Sequence, residues 1–184
     1  MSGKGIAAAL LMAFIRPVIR SALDRSGDPV TALERTNHIL VHERRTGLFV
    51  TVLCGVLDLD GGLFTFANAG HEMPILASPT GTTRWVEGGG PLVGLFDRLG
   101  LAEQHVRIRP GERLILFTDG ITDAVSPSGE RFGPARLLST IAASCPTGDA
   151  VATCRAVIQG VLAFQAEALP ADDLALLVLR RLPA

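Results

Sequence analysis

Short strand-like segments separated by turn residues fill the middle of this 184-residue chain and constrain its fold more than any other feature. Val, Ile, Leu, Phe and Thr, which are common in β-strands, are frequent in residues 49–57, 63–69, 74–77, 83–86, 104–108 and 114–117. Gly- and Pro-containing turns such as Asp60-Gly61-Gly62 and Pro110-Gly111 lie between them. Since connections this short join antiparallel neighbours, the pattern predicts antiparallel sheets.

Helical patterns precede and follow these strands. Apolar side chains recur at helical spacing in residues 6–23 and in the segment that ends near His42, and again in residues 134–143 and 149–167. A last apolar strand is predicted for residues 174–179. This order predicts an α+β fold in which helices cover antiparallel sheets.

The second helical segment has a specific start signal, and the first contains a proline and an apolar face. Asp28-Pro29 is typical of an N-cap followed by proline at the first helical position. Pro17 is expected to kink the first helix or to remove one of its hydrogen bonds. One face of that helix contains apolar residues that we expect to be buried, namely Leu11, Phe14, Ile15, Val18 and Ile19.

Composition excludes several classes of protein. The net charge of −1 and the hydrophobic content of 48% suit one globular domain over residues 1–184, without the basic surplus of a nucleic-acid or anionic-membrane binder. The three cysteines form no CxxC pair, so neither a disulfide framework nor a zinc knuckle is expected. Cys54 is expected to be a small core residue, and a reducing, cytoplasmic location is predicted.

The apolar stretch after Lys4 resembles a signal peptide but fits a buried helix better. It ends at Ile15 and is followed at once by Arg16-Pro17, with no small-residue cleavage site. It is also shorter than the ~20 residues that span a bilayer. No membrane contact is therefore expected from this segment.

Acidic residues stand at the ends of two predicted strands. Asp119 lies two residues after the end of the strand 114–117, and Asp123 comes four residues later. Taken alone, such residues are more often turn or cap residues. Asp172-Asp173 precede the last strand, either as a solvated turn or as part of a site for a hard cation, since carboxylate oxygens suit Mg²⁺, Mn²⁺ or Ca²⁺.

Three further motifs have simple structural interpretations when each is taken alone. Ser2-Gly3-Lys4-Gly5 lacks the spacing of a Walker A loop and is interpreted as a helix-entry turn. His71, after Asn68-Ala69-Gly70, is interpreted as a hydrogen-bonded structural residue. The segment 58–61 lacks the third ligand and the distal Glu of a calcium loop, so it is interpreted as a turn.

Taken in order, these motifs resemble those of the SpoIIE-like, PP2C-type (PPM) metal-dependent protein serine/threonine phosphatases of bacteria. The first loop and helix, the turn at Asn68-Ala69-Gly70-His71, the central acidic motif and the closing acidic pair occur in the family's order along essentially the whole chain. The central motif is Phe117-Thr118-Asp119-Gly120-Ile121-Thr122-Asp123, and the closing motif is Asp172-Asp173-Leu174.

This resemblance implies a fold, a cofactor and a reaction. The implied fold is an antiparallel β-sandwich flanked by helices on both faces, with two Mn²⁺ or Mg²⁺ ions at one edge. By motif position, Asp119 and Asp172 would be metal ligands, Asp123 would lie at an accessory metal, and the peptide carbonyl of Met1 would be a backbone ligand. A metal-activated water would then be the nucleophile, with no catalytic side chain. The implied substrate is phosphoserine or phosphothreonine on a bacterial regulatory protein, such as an anti-sigma-factor antagonist.

The chain departs from the family pattern at its start. The aspartate that the family places just before the residue matching Met1 would precede this chain, as would an earlier acidic motif and the first strands. Ala175 also stands where threonine is common. We therefore expect an N-terminally truncated domain that binds Mn²⁺ weakly and hydrolyses phosphate esters poorly by itself. The alternative is an impaired phosphatase-like module that binds a phosphoprotein partner without turnover.

Overall fold

The computed structural model describes residues 6–42, 49–146, 148–166 and 173–183. Its helices are α1 (Ile6–Ser26), α2 (Pro29–His42), α3 (Asp119–Thr122), α4 (Gly133–Ser144) and α5 (Ala150–Gln165). Its strands are β1 (Val52–Leu57), β2 (Leu63–Ala69), β3 (Ile75–Ala77), β4 (Thr83–Trp85), β5 (Gln104–Arg107), β6 (Arg113–Phe117) and β7 (Leu176–Arg180). Every pairing between these strands is antiparallel, so the predicted α+β class is confirmed.

The described residues divide into two compact units. The first contains the residues up to His71 together with Glu87–Arg107, and the second contains Glu72–Val86 and the residues from Ile108 onward. In the first unit β2 lies between β1 and β5. Its core combines residues of α1, α2 and the sheet, including Ile15, Leu33 and Ala67. Cys54 belongs to this core as predicted, and burial raises the pKa of its thiol to about 11.

Helix α1 continues through Pro17 and ends at Ser26. Leu11 and Ile15 are buried as predicted, but the prediction for Phe14 was wrong, because its side chain is 47% exposed. Phe14 is offset by about 100° around the helix from Ile15 and therefore lies beside the buried stripe. Among the described residues, no helix combines the length and the apolar character that are needed to cross a membrane.

Helix α2 begins at the predicted cap. The Asp28 carboxylate accepts hydrogen bonds from the backbone N–H groups of Val30 and Thr31, both at 3.0 Å. The Thr31 hydroxyl also donates to this carboxylate and is the largest cause of the lowered pKa of Asp28. These bonds satisfy N–H groups that the first turn of a helix leaves without partners.

Two side chains of α2 hold the loop 94–100 in the first unit. Asn37 is fully buried, and it donates to the Phe96 carbonyl and accepts from the Gly94 N–H, both at 2.8 Å. The Glu34 carboxylate accepts from the N–H groups of Leu99 and Gly100 at 3.3 and 2.8 Å. Side chains thus satisfy backbone groups of this loop that no strand pairing satisfies.

We expect Asn37→Ala to lower the free energy of unfolding by about 1–3 kcal/mol, because it leaves the N–H of Gly94 and the C=O of Phe96, both in part-buried hydrogen bonds, without these partners. The measurement is urea unfolding followed by circular dichroism. Arg35→Ala, at an exposed position of the same helix, is the control and should change stability by less than about 0.5 kcal/mol. Equal effects of the two substitutions would contradict the role assigned to Asn37.

In the second unit the strand order is β4-β3-β6-β7, so β6 is an inner strand. Ile115 of β6 packs with Ile141 of α4 and with Val157 and Val161 of α5, all four fully buried. Trp85 packs against this core, with its ring 6.1 Å from that of Phe117. Helices α4 and α5 and strand β6 therefore share one apolar core.

One charged side chain is buried beside this core. Arg113, at the start of β6, is 1% exposed. Its Nη2 atom donates to the Cys145 carbonyl at 3.1 Å and also to the Gly148 carbonyl. Since Cys145 directly follows α4, the guanidinium lies where a helix C-terminus favours positive charge. Arg113 thereby ties the connection between α4 and α5 to the sheet.

Candidate metal centre

Strand β6 places Asp119 at the surface. Leu114, Ile115 and Phe117 anchor the strand in buried surroundings, whereas Asp119, two residues after Phe117, is exposed. The Asp119 carbonyl accepts from the Asp123 N–H at 2.7 Å, which closes the single turn of α3. The carboxylate of Asp119 has no hydrogen bond or ion pair with any residue in the described part of the chain. It is therefore available to a cation.

Asp123, unlike Asp119, forms an ion pair. Its Oδ1 atom accepts from Nη1 of Arg131 at 2.7 Å, and both side chains are substantially exposed. An isolated bridge between Val125 and Arg131 closes the turn that brings Arg131 back toward Asp123. Sequence reasoning missed this pair, because the return of the chain over residues 126–130 was not predicted. A cation at Asp123 would have to compete with the Arg131 guanidinium.

Glu72 is a third carboxylate near this place that sequence reasoning missed. Burial raises the pKa of Glu72 above its ordinary value, and the negative charges of Asp119 and Asp123 raise it further. Glu72 therefore lies within reach of the charges of Asp119 and Asp123, although it is far from both in sequence. The only available signal was its position directly after the turn at Asn68-Ala69-Gly70-His71.

Thr118, which precedes Asp119, holds the segment that leads into β7. Its hydroxyl donates to the Asp173 carbonyl at 3.1 Å and accepts from the Ala175 N–H at 3.0 Å. Its own N–H donates to the Ala175 carbonyl at 3.1 Å. The segment that begins with Asp173 is thus bonded to the residue that immediately precedes Asp119. The sequence contained Thr118 within a motif but did not indicate this role.

Two predicted ligands, Asp172 and the Met1 carbonyl, lie outside the described residues. The assignment of Asp172 and the Met1 carbonyl as metal ligands beside Asp119 therefore stays a prediction. Among residues 6–42, 49–146, 148–166 and 173–183, no three His, Cys, Asp or Glu side chains are close enough together to hold a metal ion.

The donor atoms near Asp119 nevertheless suit a hard divalent cation. Glu72, Asp119 and Asp123 offer carboxylate oxygens, which are the ligands that Mg²⁺ and Mn²⁺ prefer. Burial raises the pKa of Glu72, and the charges of Asp119 and Asp123 raise it further; a bound cation would offset this negative charge. The oxygen chemistry of these side chains therefore fits such an ion, although within the described residues no three of them are placed to hold one together.

The turn that contains His71 is held by Asn68. Asn68 is 2% exposed, and its Nδ2 donates to the carbonyls of His71 and Gly88 at 3.0 and 3.1 Å. Its Oδ1 accepts from the His71 N–H at 2.8 Å. Gly70 has φ of +70°, a conformation that disfavours other residue types. The interpretation of His71 as a hydrogen-bonded structural residue is confirmed for its backbone N–H and C=O groups.

Comparison with known proteins identifies the family. A sequence model described as Stage II sporulation protein E (SpoIIE) matches residues 1–182. The chain belongs to the SpoIIE family. The resemblance stated from the motifs is therefore confirmed.

Two curated relatives are similar in sequence to this SpoIIE-family chain. Protein IcfG of Synechocystis sp. (strain ATCC 27184 / PCC 6803 / Kazusa) is 31% identical over 77% of this chain and 26% of its own length. Phosphoserine phosphatase RsbU of Bacillus subtilis (strain 168) is 28% identical over 69% of this chain and 38% of its own length. The chain thus spans well under half the length of these relatives.

Solved structures confirm the PP2C-like fold. The SiaA-PP2C domain of Pseudomonas aeruginosa has a TM-score of 0.82 at 22% identity, covering 97% of this chain and 72% of that one. The phosphatase domain of SpoIIE from Bacillus subtilis, in a form presoaked with Mn, has a TM-score of 0.63 at 15% identity and covers 91% and 73%. At these identities the likeness concerns the fold alone.

Proposed function

We propose that this SpoIIE-family chain is the larger part of a single phosphatase domain that removes phosphate from phosphoserine or phosphothreonine in a regulatory protein. The observation that supports this proposal most is the uncommitted Asp119 carboxylate, exposed at the end of β6 and next to the start of β7. A buried strand holds this acidic group in a defined position. Its oxygen chemistry and the family membership agree with a metal-dependent hydrolase.

The proposed ligands of two Mn²⁺ or Mg²⁺ ions are Asp119, Asp172 and the peptide carbonyl of Met1, with Asp123 at an accessory position. When bound, such ions activate a water molecule and offset charge on the phosphoryl oxygens. Thr118 would position the residues around Asp173 relative to Asp119 through the hydrogen bonds given above. The Mn-presoaked structure of a family member with this fold supports the choice of cation.

The names of the relatives support a substrate class for this proposal, whereas its cytoplasmic location rests on the cysteine content of the chain. RsbU is named a phosphoserine phosphatase, and so is RsbP of Bacillus subtilis, which is 25% identical over 66% of this chain. We propose a small phosphorylated regulatory protein as substrate, such as an anti-sigma-factor antagonist, encountered in the cytoplasm.

A second function is favoured by one observation. The ion pair between Arg131 and Asp123 already compensates the charge of one predicted metal-site carboxylate. If too few ligands remain to hold two ions, the domain would bind a phosphoprotein without hydrolysing it. This chain would then be a phosphatase-like binding module.

The test is release of inorganic phosphate from a phosphoserine-containing protein, assayed with Mn²⁺ and with EDTA. Two proteins are compared, the chain as printed and the chain with its upstream coding sequence, where the family resemblance places one more aspartate. We expect the extended protein to release phosphate in a Mn²⁺-dependent manner. EDTA should abolish this release, and added Mn²⁺ should restore it. The 184-residue chain alone should release phosphate only weakly. Release that persists in EDTA would contradict the metal mechanism. Capture of the phosphoprotein without release by the extended protein would instead support the binding module.

A further inference from the structure

The four histidines of the chain include a pair on one face of α2. His42 is the fourth residue after His38, and this spacing places the two side chains one above the other on a helix. Their ring centroids are 3.9 Å apart, and the rings are tilted by 43°. Both residues are exposed, so the pair is open to solvent.

The hydrogen bond of His42 determines which ring nitrogen is free. Nδ1 of His42 lies 2.7 Å from the His38 carbonyl oxygen. Because a carbonyl oxygen can only accept, Nδ1 must be the protonated nitrogen of the neutral ring, and Nε2 then has an unshared electron pair. Metal-binding histidines typically donate one ring N–H to a backbone carbonyl in this way, which fixes the tautomer and the orientation of the ring.

We propose that His38 and His42 form a two-imidazole site for a borderline-soft divalent cation, Cu²⁺, Ni²⁺ or Zn²⁺. Imidazole nitrogen suits these ions, whereas the oxygen ligands near Asp119 suit Mg²⁺ and Mn²⁺. A cation bound to both rings would stabilise the last turn of α2. Glu34 and Asn37 of the same helix bind the loop 94–100. Water would fill the remaining coordination positions. This site is independent of the proposed phosphatase activity.

The test is a titration of the tag-free chain with Cu²⁺ and with Ni²⁺, followed by calorimetry and by the electron paramagnetic resonance signal of Cu²⁺. We expect one strong Cu²⁺ site with coupling to two nitrogens, and weaker binding of Ni²⁺. His38→Ala and His42→Ala should each weaken Cu²⁺ binding by about 10²-fold, because either change leaves one ligand and removes the chelate. Circular dichroism verifies that both variants are folded.

His105→Ala is the matched control. His105 is also exposed, but its ring contacts Thr65 and Glu103 rather than a second histidine. The His105→Ala variant should bind Cu²⁺ with the same affinity as the unchanged chain. The proposal would be overturned if either His38→Ala or His42→Ala bound Cu²⁺ as tightly as the unchanged chain. Mn²⁺-dependent phosphate release should not change in either variant, which separates this site from the one proposed at Asp119.

Discussion

Asp119→Asn is expected to lower Mn²⁺-dependent phosphate release by about 10²–10³-fold or more, since loss of even one interaction with the charge of a transition state has an effect of this size. Asparagine keeps the shape and one oxygen but removes the negative charge that offsets the desolvation of a cation. The Asp119 carboxylate has no hydrogen bond or ion pair within the described residues, so its replacement breaks no structural contact there. The loss should therefore appear in activity and Mn²⁺ affinity, with the thermal midpoint nearly unchanged.

Phosphate release by Asp119→Asn is measured in the extended protein, which also contains the residues encoded upstream. Two further variants are made in the same protein. Asp60→Asn replaces an exposed aspartate of the β1–β2 turn in the other unit and should keep full activity. Asp123→Asn should have a milder effect than Asp119→Asn, because Arg131 already compensates Asp123. Activity of Asp119→Asn equal to that of Asp60→Asn would exclude Asp119 as a metal ligand.

The largest expected effect on stability is that of Ile115→Ala, which should lower the free energy of unfolding by about 2–5 kcal/mol. Ile115 is fully buried, lies on the inner strand β6 and packs in the core with α4 and α5. Truncation removes three methyl or methylene groups and leaves a cavity that the paired strands β3 and β7 cannot close by moving independently. Urea unfolding of the full chain provides the measurement.

Leu177→Ala is the control for this prediction. Leu177 lies on the neighbouring strand β7, but its side chain is 53% exposed. Its truncation therefore leaves no buried cavity. We expect a change of less than about 1 kcal/mol. A similar loss in both variants would show that the burial of Ile115 is not what stabilises the second unit.

The elements of the fold were largely predictable because their signals are local. Strand composition and Gly- or Pro-containing turns indicated the strands, and apolar spacing indicated the four long helices. The Asp28 cap is also local, since the carboxylate bonds to groups two and three residues away. Phe14 was misjudged for a related reason, because spacing alone does not state how wide the buried stripe of a helix is.

The site was predictable only in part. Asp119 could be recognised because a strand of apolar residues leads directly to it and the family motif surrounds it. Glu72, Thr118 and Arg131 were not recognised, because each acts through residues that pair with it only after the chain has folded. The assignments of Asp172 and Met1 as ligands remain predictions.

The amino-acid sequence by itself determined the order of helices and strands, the family and the location of one acidic group at a strand end, since each depends on neighbouring residues. Only the tertiary structure decided which strands pair, that Thr118 bonds to the segment before β7, and that Arg131 compensates Asp123. It also decided that the loop 94–100 is held by Asn37, 57 residues away from Gly94. The physical reason is that hydrogen bonds and charge interactions act over a few ångströms in space, and separation along the sequence does not reveal which groups folding brings that close.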